Sequence, residues 1–106
     1  MGVSKYEKNE FNKPLAEILK ALNYRDEREA AIDITMLSAS AKYAEFSEEC
    51  ERLEKKYGMR YEEFESQVAK RQGEDFEEED DLMAWRFAHD GAQFWQRKLE
   101  ELKSAI

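Results

Sequence analysis

The residues of this chain best suited to chemistry are carboxylates. In Glu74-Asp75-Phe76-Glu77-Glu78-Glu79-Asp80-Asp81, seven of eight residues are acidic. Glu45 and Glu48 stand three apart, as do Glu77 and Asp80, or Glu78 and Asp81. Carboxylates at i and i+3 share a helix face, and two such pairs brought together would offer the hard oxygen ligands that Mg²⁺ requires. A plainer role also fits, because acids in a first turn favour the positive end of the helix dipole. That effect covers only one turn, so the remaining negative charge is suited to attracting a Lys/Arg-rich protein. Other reactive types are sparse. His89 is the single histidine and Cys50 the single cysteine, too few for a zinc site. Arg86 stands three residues before His89, where a di-iron carboxylate pattern requires Glu. The glycines are scattered and build no phosphate loop. No catalytic residue and no cofactor is therefore expected, with Mg²⁺ on Glu45, Glu48, Glu77 and Asp80 as the alternative.

The elements that must position these acids are helical. From Phe76 to Ile106, Leu82, Trp85, Ala88, Ala92, Trp95, Leu99, Leu102 and Ile106 recur mostly in steps of three and four, the spacing of one helix face. Phe76, Met83, Phe87 and Phe94 form a second row, roughly 125° around the helix. The tryptophan row suffices for the chain's own core, which makes the phenylalanine row the candidate intermolecular face. Asp75 is the expected N-cap, with Glu78 as its capping-box partner. Gly91 inside this helix costs about 1 kcal/mol relative to Ala, and admits a bulky neighbour.

Upstream, about Asp26 to Tyr57 reads as one long helix. Ile32, Met36, Ala39, Tyr43, Phe46, Cys50, Leu53 and Tyr57 alternate strictly by four and three, a coiled-coil-like seam. Ala30, Ile34, Leu37, Ala41 and Ala44 add a second row over its first half, which predicts burial on two sides there. Ser38-Ala39-Ser40-Ala41 lets another helix approach closely. Gly58 suits the end of this helix, with Lys55 and Lys56 complementing the dipole. Pro14 fits the first turn of a shorter helix carrying Leu15, Ile18, Leu19 and Leu22, broken at Asn23-Tyr24. Tyr61 to Gln72 reads as another short helix, with Tyr61, Phe64 and Val68 facing inward and Gly73 beyond it.

The expected fold is all-α: a long antiparallel helical hairpin with two shorter helices. Residues 1–12 form a polar N-terminal arm, from which Tyr6 and Phe11 dock, and residues 13–106 a single helical domain. One thin hairpin cannot cover both rows on each long helix, so a homodimer is expected to complete the bundle.

The totals narrow the function class. With 17 basic and 25 acidic residues the net charge is -8, which disfavours nucleic acid as a partner and favours a basic protein or a cation. A single cysteine excludes an internal disulfide scaffold. No apolar run long enough to cross a membrane and no signal-peptide core are visible in the sequence. A cytoplasmic protein without a membrane partner is the expectation.

Two resemblances sharpen this. Glu79-Asp80-Asp81-Leu82-Met83-Ala84-Trp85 with Phe94-Trp95-Gln96-Arg97-Lys98-Leu99, and the turn Tyr57-Gly58-Met59-x-Tyr61-Glu62-Glu63-Phe64, resemble the small acidic helical antitoxins of prokaryotic toxin–antitoxin pairs. The resemblance implies a protein that masks a basic toxin such as a ribonuclease. Glu45-x-x-Glu48 with Glu77-x-x-Asp80 is similar to the motif of all-α nucleotide pyrophosphatases, which would imply Mg²⁺-dependent triphosphate hydrolysis. The leading expectation is a non-enzymatic helical interaction protein, with Glu77, Glu78, Asp80 and Asp81 attracting a basic partner and Phe87 and Phe94 as apolar anchors. A structural subunit of an assembly is the third reading.

Overall fold

The computed structural model of the chain describes residues 12–106. All of the expected arm except Asn12, including Tyr6 and Phe11, lies outside them. The element order is α1 (Asn12–Ala21), α2 (Glu27–Tyr57), α3 (Tyr61–Lys70) and α4 (Phe76–Ala105). The described residues hold no strand, and the chain is all-α. Its contacts fall into a first unit ending at Leu37 and a second, Ser38–Ile106.

In the first unit, α1 ends because Asn23 enters the left-handed region at φ 67°, which Asn tolerates better than most residues. The Tyr24 amide then reaches the Leu19 carbonyl at 2.9 Å, satisfying a terminal acceptor. Asp26 caps α2, its carboxylate accepting from the Glu29 amide at 2.9 Å. The Tyr24 hydroxyl donates to Asp33. Of the second α2 row, Ala30 is buried while Ile34 and Leu37 are exposed, as are Ala41 and Ala44 in the second unit. Burial on two sides is thus not achieved among the described residues. At 100° per residue this row lies nearly opposite the seam, so no neighbour that packs on the seam can reach it.

In the second unit the seam is the inward face: Ala39 and Leu53 are buried, and Tyr43, Phe46, Cys50 and Tyr57 half-buried. Phe46 meets Phe87 edge-on at 5.4 Å, and Tyr57 lies 6.4 Å from Trp85. Numbers rising along α2 pair with numbers falling along α4, so this part of α2 runs antiparallel to α4. Gly58, at φ 65°, closes α2. α3 returns along α4, with Tyr61 stacked on His89 at 4.5 Å and Phe64 at 5.3 Å from Trp85. Leu53 of α2, Phe64 of α3 and Trp85 of α4 form the buried cluster, with Cys50, Tyr57, Met59, Tyr61, Val68, Leu82 and Ala84 packed around it. α3 ends at Lys70, short of the expected Gln72. Arg71 leaves the helix for an extended conformation and turns its guanidinium to the head of α4, at Asp75 and Glu78.

The bulky neighbour expected at Gly91 is Phe46. A Cβ placed on Gly91 would stand 2.8 Å from three carbons of the Phe46 ring. Substituting Ala for Gly inside a helix normally gains about 1 kcal/mol. Here the overlap should outweigh that gain, so Gly91→Ala should destabilise by about 1 kcal/mol. Urea unfolding checks this: a midpoint above that of the parent chain would mean that the Phe46 ring moves aside freely.

Candidate protein-interaction surface

The acidic run lies where loop becomes helix, and the structure divides it by task. Asp75 is the N-cap, accepting from the Glu78 amide at 3.1 Å, and this hydrogen bond holds its carboxyl below the usual range. The side chain of Glu78 meets Arg71, and Arg71 also holds Asp75 at 3.1 Å. Asp81 reaches across to the end of α2, accepting from Lys56 Nζ at 2.7 Å and from the Tyr57 hydroxyl at 2.5 Å. Glu77 touches the same Lys56 at 3.4 Å while remaining largely exposed. Glu74, Glu79 and Asp80 are exposed and make no ion pair with another described residue.

Of the four acids expected to attract a partner, Glu78 and Asp81 are engaged by cations of the chain itself. Glu77 and Asp80 keep outward charge, and Glu74 and Glu79 join them. The cations that engage the other acids are Lys56, which the sequence marks only as a dipole complement, and Arg71. A spacing signal existed for Arg71, which stands four residues before Asp75; none existed for Lys56, whose partners lie across the hairpin.

The second row of α4 is open. Phe76 is 70% exposed, Met83 66%, Phe87 70% and Phe94 42%. At 100° per residue all four lie within about 20° of one line. The stripe extends 18 residues, about 27 Å of helix. Phe87 and Phe94 stand on it as expected. Phe87 rests one edge on Phe46, and Phe94 one edge on Trp95 at 5.1 Å, so the rings are held in place while their outer faces meet solvent. A row of large apolar side chains left exposed on one helix face suits an interaction surface.

The expected metal set is not assembled. Glu45 pairs with Lys42 at 3.6 Å, whereas Glu77 lies against Lys56. Eight residues, about 12 Å of helix, separate Glu48 from Lys56. Among the described residues no three of His, Cys, Asp and Glu gather as metal ligands. The fold therefore does not bring the Mg²⁺ alternative together within one chain. His89 stacks on Tyr61 with Glu62 at 4.0 Å, and Arg86 bridges to the Tyr61 hydroxyl and Glu65, both at 3.2 Å; both residues join α3 to α4. Burial pushes the Cys50 thiol up, away from a reactive thiolate.

No family model matches the chain, nor does any curated protein or solved structure. Among the described helices none is long and apolar enough to cross a membrane.

The clamp of Asp81 on Lys56 and Tyr57 gives stability a definite pH profile. Lys56 and then Tyr57 hold the Asp81 carboxyl below its ordinary value. Its contribution is therefore present above an unfolded pKa of about 3.9 and lost as pH falls through the lower folded value. Burial, then the hydrogen bond to Asp81, pushes Tyr57 up to about 12. That contribution is full below an unfolded pKa of about 10 and is lost between there and about 12. Asp81→Asn should flatten the acid limb of stability against pH, Tyr57→Phe the alkaline limb, each lowering stability at neutral pH by about 1 kcal/mol. Urea midpoints measured across pH decide this. Limbs unchanged in both variants would mean that the clamp contributes nothing.

Proposed function

We propose that this chain is a non-enzymatic helical protein that acts by binding other protein chains through α4. The observation that supports this best is the stripe Phe76, Met83, Phe87 and Phe94, anchored at its inner edge and open along its length. The acidic head of the same helix supplies the second element of recognition. Glu74, Glu79 and Asp80 project charge that no ion pair among the described residues takes up, and Glu77 stays largely exposed beside Lys56, in a chain of net charge -8. A basic protein partner complements that head, and electrostatic attraction of this kind raises the rate of encounter and selects among partners.

The narrower form of this reading is antitoxin-like: a small acidic helical protein masking a basic toxin, as the likeness around Glu79–Trp85 and Phe94–Leu99 implies. Charge and surface support it. Permanent residence in a larger assembly is a second form, favoured by the extent of the apolar stripe. The two differ in whether salt releases the partner. The tagged chain, incubated at low salt with extract of its native cell and eluted along a salt gradient, should release a small basic protein. Glu74→Lys with Glu77→Lys should lower its capture roughly tenfold and flatten the salt dependence. Capture that ignores both substitutions would refute the basic-partner reading.

A further inference from the structure

We infer that the aromatic stripe of α4 is occupied by the same stripe of a second copy, the two helices running antiparallel about a two-fold axis near Ala88 and His89. The inference rests on the reading that this stripe is a binding face, and it adds the occupant and the register.

Charge is arranged along the stripe with opposite signs at its two ends. Acids flank its beginning, Glu79 about 60° to one side and Asp80 about 40° to the other. Bases flank its end on matching sides, Arg97 with Glu79 and Lys98 with Asp80, by the same helical geometry. All four are exposed. Glu79, Asp80 and Arg97 have no ion-pair partner among the described residues, and Lys98 reaches only Glu101, one turn on, at 3.2 Å. In an antiparallel pair related by a two-fold axis, residues on the same side of the two seams face each other. With the axis between Ala88 and His89, Glu79 meets the partner's Arg97 and Asp80 meets the partner's Lys98. Each contact occurs twice. Met83 then lies against the partner's Phe94, and the two Phe87 rings fall within about a helical turn of each other.

Other registers fail on charge. Centring the pair on Trp85 would stack Phe76 on the partner's Phe94, but would set Arg97 and Lys98 level with residues that precede the partner's α4, leaving both charged edges unmatched. A parallel pair would place acid on acid at one end and base on base at the other. A pairing near Ala88 sets Met83, Phe87 and Phe94 against the partner's apolar row and matches both charged edges, with Phe76 lying beyond them, level with the partner's Glu101. The second copy therefore covers the aromatic stripe, while Glu74 and Glu77 remain outside the contact and available to a basic partner.

Sedimentation equilibrium of the full chain at low salt, with helicity checked by circular dichroism, tests this. The parent chain should be a dimer at tens of micromolar or below. Glu79→Arg alone and Arg97→Glu alone should each weaken dimerisation roughly fivefold, and the two combined should restore it, because the swapped charges again meet across the axis. Phe87→Glu should give a monomer; if that variant loses helix, Met83→Gln serves in its place. A monomeric parent chain, or a double variant no better than the single ones, would overturn the inference. The outcomes remain separable: a monomer that still captures a basic protein overturns this register alone, whereas a dimer that captures none refutes the basic-partner reading alone.

Discussion

The second unit depends on one contact, the burial of Trp85 between Leu53 and Phe64. These three side chains come from three helices and are the largest fully buried groups among the described residues. Replacing a fully buried aromatic or leucine in such a cluster typically costs about 2–5 kcal/mol, a large share of the stability of a small domain. Because Trp85 points into this cluster, the rotation of α4 about its own axis is fixed. Everything else on α4 follows from that angle. Ala88 turns inward, Gly91 comes under the Phe46 ring, and Asp81 arrives at Lys56 and Tyr57. The line through Phe76, Met83, Phe87 and Phe94 is left facing away.

That geometry also explains why a helix beginning with so many acids is tolerated. Like charges crowded at a helix start repel one another, and the dipole offsets this only over the first turn. The chain divides them instead. Asp75 caps the helix, Arg71 takes Glu78, and Lys56 with Tyr57 takes Asp81. Glu74, Glu79 and Asp80 stay exposed without an ion pair among the described residues, and Glu77 touches Lys56 while largely exposed. The charge left at the surface is thus what remains after the fold has neutralised its own share.

Much of the fold could be read from residue spacing. The four-three alternation through Leu53 and Tyr57, and the steps through Trp85 and Ala88, identified the buried faces because helical periodicity is a local property. Asp75, Gly58 and Asn23 were legible as helix boundaries for the same reason. The relations that escaped are those set by register between helices. Nothing local to Asp81 says that Lys56 lies across from it, and nothing around Gly91 names Phe46. The early end of α3 belongs with these, since Arg71 leaves the helix to reach residues that follow the turn. For the surface, the sequence supplied the second row of α4 and the structure supplied its exposure. The carboxylate spacing that resembled a metal motif was real as spacing, but the register of the hairpin keeps its halves apart.

The account turns on whether the open face of α4 is covered by another protein chain in solution. The methionine methyl groups report this directly, because Met83 sits on the stripe while Met59 packs against the buried cluster. A ¹³C-methyl spectrum of the full chain, followed on dilution and on addition of native cell extract, should show the Met83 resonance shifting or broadening as the face becomes covered, with Met59 unmoved. A Met83 signal that stays sharp and fixed at every concentration, in extract as in buffer, would show that nothing binds this face and would contradict the account.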